Sequence, residues 1–215
     1  LVLAMPVGAE VTLPSAVGSH MVLQRDAQVR IWGWADAGEQ VTVTFAGQTK
    51  QAQADAEGNW SVMLDAMPAS AEGRALVIDA DNRLEIADVL VGEVWVASGQ
   101  SNMEWRVSNS NNPQEEIAAA NHPGIRMWTA RRTVATEPQR DVPGQWQVCT
   151  PQTVGAFSAV GYYFARELYQ RLDIPVGILH TSWGGTPSEA WTSRGKLEEV
   201  EEAGPILQRF DTMLA

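Results

Sequence analysis

Several features that would assign a protein class directly are scarce or missing from this sequence. Cys149 is the only cysteine among 215 residues, which excludes an intrachain disulfide. Basic residues number 15 against 26 acidic ones, and the resulting net charge of −11 argues against a partner that is a nucleic acid or an anionic membrane. No stretch approaches the roughly 20 apolar residues of a transmembrane helix.

Cofactor and metal signatures are missing as well. The sequence has no Cys/His cluster and no carboxylate spacing typical of a metal site. It also has no Gly-Lys loop of the phosphate-binding kind. We therefore expect neither a metal nor a cofactor.

Tryptophan, by contrast, is abundant. There are nine Trp against three Tyr and four Phe. Flat indole rings stack on sugar faces, but Trp is also a large core residue, so the composition suits a carbohydrate-binding protein without requiring one. The first nine residues are apolar and end in Val7-Gly8-Ala9, a small-residue pattern similar to a signal-peptidase site. We expect export to the periplasm or the exterior, and the alternative is an N-terminal strand.

Two patterns divide the chain at about residue 90. Residues 10–90 contain short alternating runs such as Val29–Trp32 and Val41–Phe45, which are typical of half-buried antiparallel strands. Turn residues separate these runs, and Glu57-Gly58-Asn59 is predicted to be a hairpin turn. The region is therefore predicted to be a small all-β sandwich domain.

Strands and helices alternate in residues 91–215. A strand is expected over residues 125–128, and Asn112-Pro113 has the features of a helix start. Ser158 is predicted to cap a helix whose Val160, Phe164 and Leu168 share one apolar face. This alternation indicates a doubly wound α/β sheet. About three strands are expected here, with the last of them an exposed edge, so the sheet is predicted to be incomplete.

Ser101 is the main candidate for chemistry. The apolar run Val94–Ala97 ends abruptly in Gly99-Gln100-Ser101-Asn102, the pattern of a buried strand that enters a tight turn. Such a turn exposes the serine oxygen and can direct backbone N–H groups at an oxyanion. The alternative is an ordinary turn, because Gly, Ser and Asn are common turn residues. The Gly-x-Ser-x-Gly elbow is excluded, since Met103 occupies the position of its second glycine.

A second strand, ending near His180, runs into the pair Gly184-Gly185. Loops at the carboxyl edge of an open α/β sheet meet at its ligand site, so either glycine could supply a second N–H donor. A side chain at either position is expected to obstruct the substrate. The alternative is a plain turn before a helix that starts near Pro187.

These segments resemble the sialate O-acetylesterase family of carbohydrate esterases, which belongs to the SGNH (GDSL-like) serine hydrolases. The resemblance covers about Leu13 to Trp191. It is carried by GEVWVASGQSNMEW (92–105), GILHTSWGGTPSEAW (177–191), HMVLQRDAQVRIWGWADAGEQVTV (20–43), AEGNW (56–60) and FSAVGYYFARELYQRLDIPVG (157–177). It implies an SGNH-hydrolase-like sheet after the β-sandwich.

The resemblance also implies roles for individual residues. Ser101 would be the nucleophile and an oxyanion N–H donor, and Gly185, with Gly184 as the alternative, would complete the oxyanion hole. The expected substrate-binding residues are the neighbouring Gln100, Asn102 and Trp183.

The catalytic base of the family is not recognisable in this chain. Members carry a later Gly-Glu-Ser-Asn segment, whose Asn completes the oxyanion hole, and a final Asp-x-x-His. Here no Asn follows Asn121, no His follows His180, and none of the three histidines has an Asp three residues before it. The expected partner is therefore a remaining C-terminal portion that carries the Asn and the Asp-x-x-His. His180 is a weaker candidate for the base, and Glu104 is expected to hold the nucleophile turn, or to pair with Arg126 or Arg106, rather than to act as an acid or base.

The sequence therefore predicts a serine esterase that hydrolyses acetyl esters on sugars through an acetyl-enzyme. The substrate is expected to be an O-acetylated carbohydrate, and both sialic acid esters and acetylated hemicellulose oligosaccharides are compatible. The alternative is a non-catalytic glycan-binding module or fragment.

Overall fold

The computed structural model describes residues 10–214, so the predicted export segment, residues 1–9, lies outside the described residues. In chain order, the strands β1 to β10 of this part are Val22–Gln24, Val29–Trp34, Gln40–Phe45, Gln48–Gln53, Asn59–Leu64, Ser70–Asp79, Arg83–Ala97, His122–Ala130, Gly144–Cys149 and Val176–His180. The α-helices α1 to α5 are Ser101–Glu104, Pro113–Ala119, Ala159–Leu172, Arg194–Glu198 and Gly204–Leu214. Short 3-10 turns lie at Val107–Asn109, Val154–Ala156, Ser188–Trp191 and Glu201–Ala203.

A long mixed sheet organises the molecule. Its strands run in the order β4-β3-β6-β7-β10-β8-β9. Strand β1 joins the same sheet by pairing with β7, and β2 and β5 form a separate antiparallel pair. Strand β7 is antiparallel to β6 along its first part and parallel to β10 over Glu93–Ala97. The predicted domain boundary at residue 90 falls inside β7, where its pairing changes, and the boundary stays a prediction.

The N-terminal part is built as two β layers around one apolar core. Ile31 and Leu64 from the β2–β5 pair pack with residues of the large sheet such as Val43, Phe45 and Ile78. Alternation of buried and exposed residues along β3 and β5 places one face of each strand in this core. The layered arrangement agrees with the predicted sandwich.

The predicted hairpin at Glu57-Gly58-Asn59 is wrong. Strand β4, before the turn, pairs with β3, whereas β5, after it, pairs with β2, so the turn crosses between the two layers. Gly58 adopts φ +78°, and the Asp55 carboxylate accepts hydrogen bonds from the N–H groups of Glu57 and Asn59. These local interactions make a tight turn, but only the packing of the layers determines which strands it joins.

Helix α3 packs on the α/β part of the sheet and forms a second core. Ser158 caps it as predicted, since its Oγ accepts a hydrogen bond from the Gly161 N–H at 3.0 Å. The predicted apolar stripe is divided in the structure, because Val160 and Phe164 are 47% and 42% exposed whereas Leu168 is partly buried against the second core. The buried residues are instead Ala159, Gly161, Tyr162 and Ala165, whose small members let the helix approach the sheet closely.

Helix α2 begins at Pro113, as predicted. Asn112 occupies its N-cap position with φ +48°, but its side chain makes no capping hydrogen bond. The predicted strand over residues 125–128 lies within β8. Among the described helices, none combines the length and the hydropathy needed to cross a membrane.

The open edge of the α/β sheet lies elsewhere than expected. The last strand, β10, is central, with β7 and β8 parallel on its two sides. Strand β9 ends the sheet beyond β8, and residues Glu93–Ala97 of β7 pair only with β10 among the described strands, so the other side of β7 is open there. Trp95 and Val96 in this segment are 45% and 66% exposed. Sequence order therefore differs from spatial order, as is usual where crossover connections build a parallel sheet.

Candidate active site

Ser101 lies where β7 leaves the sheet. The strand ends at Ala97, Gly99 adopts φ +134°, and Ser101 begins α1 as an exposed residue. A Cβ on Gly99 would meet only Met103, at 3.7 Å, so this glycine is needed for its backbone conformation and not for space. The predicted exposure of the serine at a strand end is thus present in the structure.

The loop after β10 lies directly against this serine. Backbone hydrogen bonds from Thr181 N–H to Ala97 O and from Trp183 N–H to Gly99 O, each 3.0 Å, join the two loops. A Cβ built on Gly184 would lie 3.3 Å from Ser101 Oγ. The structure therefore brings the two predicted loops together at the carboxyl edge of parallel strands, where open α/β sheets bind ligands.

Glu104 connects the same two loops. One carboxylate oxygen, Oε2, accepts the Gly184 N–H, and the other, Oε1, accepts a hydrogen bond from the Arg132 guanidinium. The ion-pair partner of Glu104 is therefore Arg132, and the predicted Arg126 is buried and pairs with Asp88 instead. The predicted Arg106 makes no ion pair with Glu104 within 4 Å, but its charge also lowers the pKa of that carboxyl. The Gly184 hydrogen bond, together with the Arg132 charge, holds the pKa of the Glu104 carboxyl below its ordinary value.

The predicted substrate-binding residues surround Ser101 in different ways. Gln100 Nε2 donates to Thr186 O at 3.1 Å, while its Oε1 accepts the Ser101 hydroxyl at 3.3 Å. Asn102 is exposed and lines a second cavity of about 350 Å³ beside α3. The half-buried Trp183 ring has the Arg132 guanidinium 5.8 Å from its centroid.

A cavity of about 430 Å³ opens beside the serine, within the size range of small-molecule sites. Sequence reasoning missed three of its lining residues, which are Trp105, Arg106 and Asn109. The exposed Trp105 ring is held by its Nε1–H, which donates to Asn109 O at 3.0 Å. In the sequence, only the position of Trp105 directly after Glu104 in the motif of residues 92–105 indicated that it could line the site.

None of the three histidines lines this cavity or the second one. His180 is buried, with Nε2 at 2.5 Å from Ser182 Oγ, and burial lowers the pKa of its imidazole. His20 pairs with Asp88 at 2.7 Å, and His122 begins β8. Among residues 10–214, a histidine base beside Ser101 is thus not found. Within that range there is also no group of three or more His, Cys, Asp or Glu arranged to hold a metal ion.

Comparison with known proteins agrees with this geometry. Residues 91–211 match the family model described as carbohydrate esterase, sialic acid-specific acetylesterase. The sialate O-acetylesterase of Rattus norvegicus is 35% identical, covering 86% of this chain and 38% of the relative, and that of Homo sapiens is 34% identical with 86% and 39% coverage.

A crystal structure of a carbohydrate acetylesterase from Xanthomonas citri superimposes with a TM-score of 0.85 at 37% identity. The superposition covers 88% of the present chain and 44% of the Xanthomonas citri chain. The present chain therefore spans about two fifths of the length of the relatives it matches. This likeness confirms the predicted fold class. The family model matches more than half of the residues of this chain. The chain therefore belongs to the family of sialic acid-specific acetylesterases among the carbohydrate esterases.

Proposed function

We propose that this chain is the nucleophile-bearing portion of a serine esterase that removes acetyl groups from O-acetylated carbohydrates. The observation that carries the proposal is the position of Ser101. Its hydroxyl is exposed at the end of β7, and the Gly184-Gly185 turn lies against it. Membership of the carbohydrate esterase family supports the reaction class.

In the proposed reaction, Ser101 Oγ attacks the acetyl carbonyl carbon. The C–O bond to the sugar breaks, which gives an acetyl-enzyme and a free sugar hydroxyl, and water then hydrolyses the acetyl-enzyme. The N–H groups of Ser101 and Gly185 would stabilise the oxyanion, each such donor contributing about 2.7–4 kcal/mol in other enzymes. Gly184 is the weaker candidate, because its N–H already donates to Glu104.

The base is proposed to come from a C-terminal portion of the polypeptide. An unactivated serine is a weak nucleophile, and none of the three histidines lines a cavity beside Ser101. The relatives are more than twice as long as the part matched here. The open end of β7, with the exposed Trp95, Val96 and Phe164 beside it, is a suitable attachment surface for further strands of the sheet.

Two further aspects belong to the proposal. The substrate is an O-acetylated sugar, either a sialic acid or a hemicellulose oligosaccharide, and the exposed Trp105 ring suits stacking on a sugar face.

Export to the periplasm or the exterior is proposed from the Val7-Gly8-Ala9 pattern. A glycan-binding module without activity is less well supported, because binding alone does not require a serine set against a glycine turn.

Replacing Ser101 with Ala tests the proposal. In the complete natural polypeptide, Ser101→Ala should lower turnover of 4-nitrophenyl acetate by several orders of magnitude, because the nucleophile is lost. The thermal midpoint should change little, since one exposed oxygen is removed. Ser108→Ala, which changes a nearby exposed serine, is the matched control, and this variant should keep the wild-type rate. Retention of more than about a tenth of the wild-type rate by Ser101→Ala would exclude this nucleophile.

A further inference from the structure

We infer that Glu104 is a positioning residue that holds the oxyanion loop, residues 183–186, against Ser101. The inference rests on the proposed function and assigns a role to a residue that carries none of the covalent chemistry. Glu104 is the last residue of α1, one helical turn after Ser101, so the nucleophile and the carboxylate move as one short element.

Both oxygens of the carboxylate bind groups on other loops. Oε2 accepts the Gly184 N–H, a hydrogen bond between residues 80 positions apart, and Oε1 accepts from Arg132 on the loop after β8. Three segments of the chain thus converge on a single side chain. Hydrogen bonds to an ionised acceptor are about twice as strong as neutral ones, so this connection can determine the position of the loop.

The Glu104 hydrogen bond also selects which glycine can act as the oxyanion donor. Because the Gly184 N–H is used, the N–H of the next residue, Gly185, is left for the substrate. Gly185 adopts φ +81°, is exposed, and its N–H makes no hydrogen bond to the described residues. The carboxylate therefore fixes the peptide that precedes the donor peptide.

A carboxylate so close to a developing oxyanion would oppose the reaction if its charge were not balanced. Arg132 provides the balance, since its guanidinium pairs with Glu104 and also lies over the Trp183 ring. Arg132 thereby fixes two adjacent residues of the oxyanion loop. It holds Gly184 indirectly, through the Glu104 carboxylate, and it contacts the Trp183 ring directly.

Glu104 is poorly suited to be the general base itself. Both of its oxygens already accept hydrogen bonds from donors, and its pKa is lowered, so it holds a proton weakly. A role in positioning requires what the structure shows, namely a carboxylate whose two oxygens accept hydrogen bonds from donors on two other loops.

The test uses 4-nitrophenyl acetate and the complete natural polypeptide. Glu104→Ala should lower kcat by about 10- to 100-fold with KM changed by less than about threefold, because misplacement of the oxyanion donor affects the transition state more than binding. Glu104→Gln keeps an oxygen that can accept the Gly184 N–H and should recover part of the loss. Glu116→Gln is the matched control, since it removes the partly buried ion pair with Arg166 away from the cavity. It should leave kcat within about twofold of wild type.

Gly184→Ala provides a second, independent measurement. A Cβ at this position would lie 2.6 Å from Glu104 Oε2, so the substitution should displace the carboxylate. The kcat losses of Gly184→Ala and Glu104→Ala should therefore be strongly non-additive in a double-mutant cycle.

Several outcomes would overturn the inference. These are an unchanged kcat in Glu104→Ala, an effect confined to KM, an equal kcat loss in Glu116→Gln, and additivity in the cycle. If Ser101→Ala is inactive while Glu104→Ala is fully active, the positioning role alone fails. If Ser101→Ala remains active, the proposed function fails first.

Discussion

At the scale of single residues, the two adjacent glycines of the oxyanion loop are needed for different reasons. A Cβ on Gly184 would collide with Glu104 and crowd Ser101, so space is the constraint there. A Cβ on Gly185 would meet nothing within 4 Å, but its φ of +81° lies in the region that L residues avoid. A side chain at Gly184 would therefore crowd Ser101 itself, whereas obstruction of the substrate by a side chain at Gly185 stays a prediction.

This difference predicts a ranking of substitutions at Gly185. Gly185→Val should reduce kcat much more than it raises KM, because a β-branched residue resists positive φ and moves the N–H donor. Gly185→Asn tolerates the left-handed region and should keep far more activity. Steady-state kinetics on a small acetyl ester would measure both. Equal losses for Val and Asn would show that side-chain bulk, and not backbone conformation, limits this position.

At the scale of elements, a polar cluster joins the N-terminal β layers to β8. Asp88 on β7 accepts hydrogen bonds from the buried Arg126 and pairs with His20, each at 2.7 Å. Burial opposes ionisation of this carboxyl, but the Arg126 and His20 hydrogen bonds outweigh it and hold the pKa of Asp88 below its ordinary value. The cluster fixes β8 to the segment before β1, on the side of the molecule away from Ser101.

Replacing Asp88 with Asn should lower the free energy of unfolding by about 1.5–3 kcal/mol, the range for hydrogen bonds to charged groups. Asn accepts the φ of +55° at this position, so the loss isolates the charge. Urea unfolding would measure it. Asp79→Asn, which removes an exposed ion pair with Arg83, is the control and should cost under about 1 kcal/mol.

The same cluster predicts a pH dependence. Because the folded pKa of Asp88 is lowered, its stabilisation is fully present above the unfolded value of about 3.9 and is lost as the pH falls through the folded pKa. The stability difference between wild type and Asp88→Asn should therefore shrink below about pH 4. A difference that stayed constant down to pH 2 would mean that the charge is not the stabilising feature.

Helix α3 shows that an apolar stripe in the sequence does not by itself determine which face of a helix packs on the sheet. Val160, Phe164 and Leu168 do share a stripe, and Phe164 does contact an aromatic ring, since its centroid is 5.2 Å from that of Trp95. The sheet nevertheless receives the face with Ala159, Tyr162 and Ala165, where the two alanines allow close approach and the Tyr162 side chain is fully buried. The exposed Phe164 thus lies beside the exposed Trp95 at the open end of β7.

At the scale of the whole molecule, residues 1–215 alone should be inactive on acetyl esters. The serine lacks a histidine base beside it among the described residues, and the β7 edge with its apolar neighbours is uncovered. The purified 215-residue chain should also bind a hydrophobic dye more strongly than the complete polypeptide does. Ester hydrolysis and dye binding are both measured on the 215-residue chain and on the complete polypeptide at equal concentration. Full activity of the isolated chain would place the base within it, with His180 the first candidate.

The sequence alone determined the features that depend on near neighbours in the chain. The strand that ends just before the Ser101 turn, the helix capped by Ser158 and the glycine turn after β10 follow from local periodicity and turn chemistry. Long, specific motifs were also sufficient for the family and the fold class, which the comparisons confirm. The domain boundary and the roles of the site residues stay predictions.

Only the tertiary structure decided which distant segments meet. The central position of β10, the crossing of the Gly58 turn between two layers and the partner of Glu104 involve residues far apart in the chain. Arg106, Arg126 and Arg132 are equivalent as charges in a sequence, and burial of Arg126 against Asp88 leaves Arg132 to reach the carboxylate. Long-range pairing of this kind depends on the packing of all layers together, which local patterns do not encode.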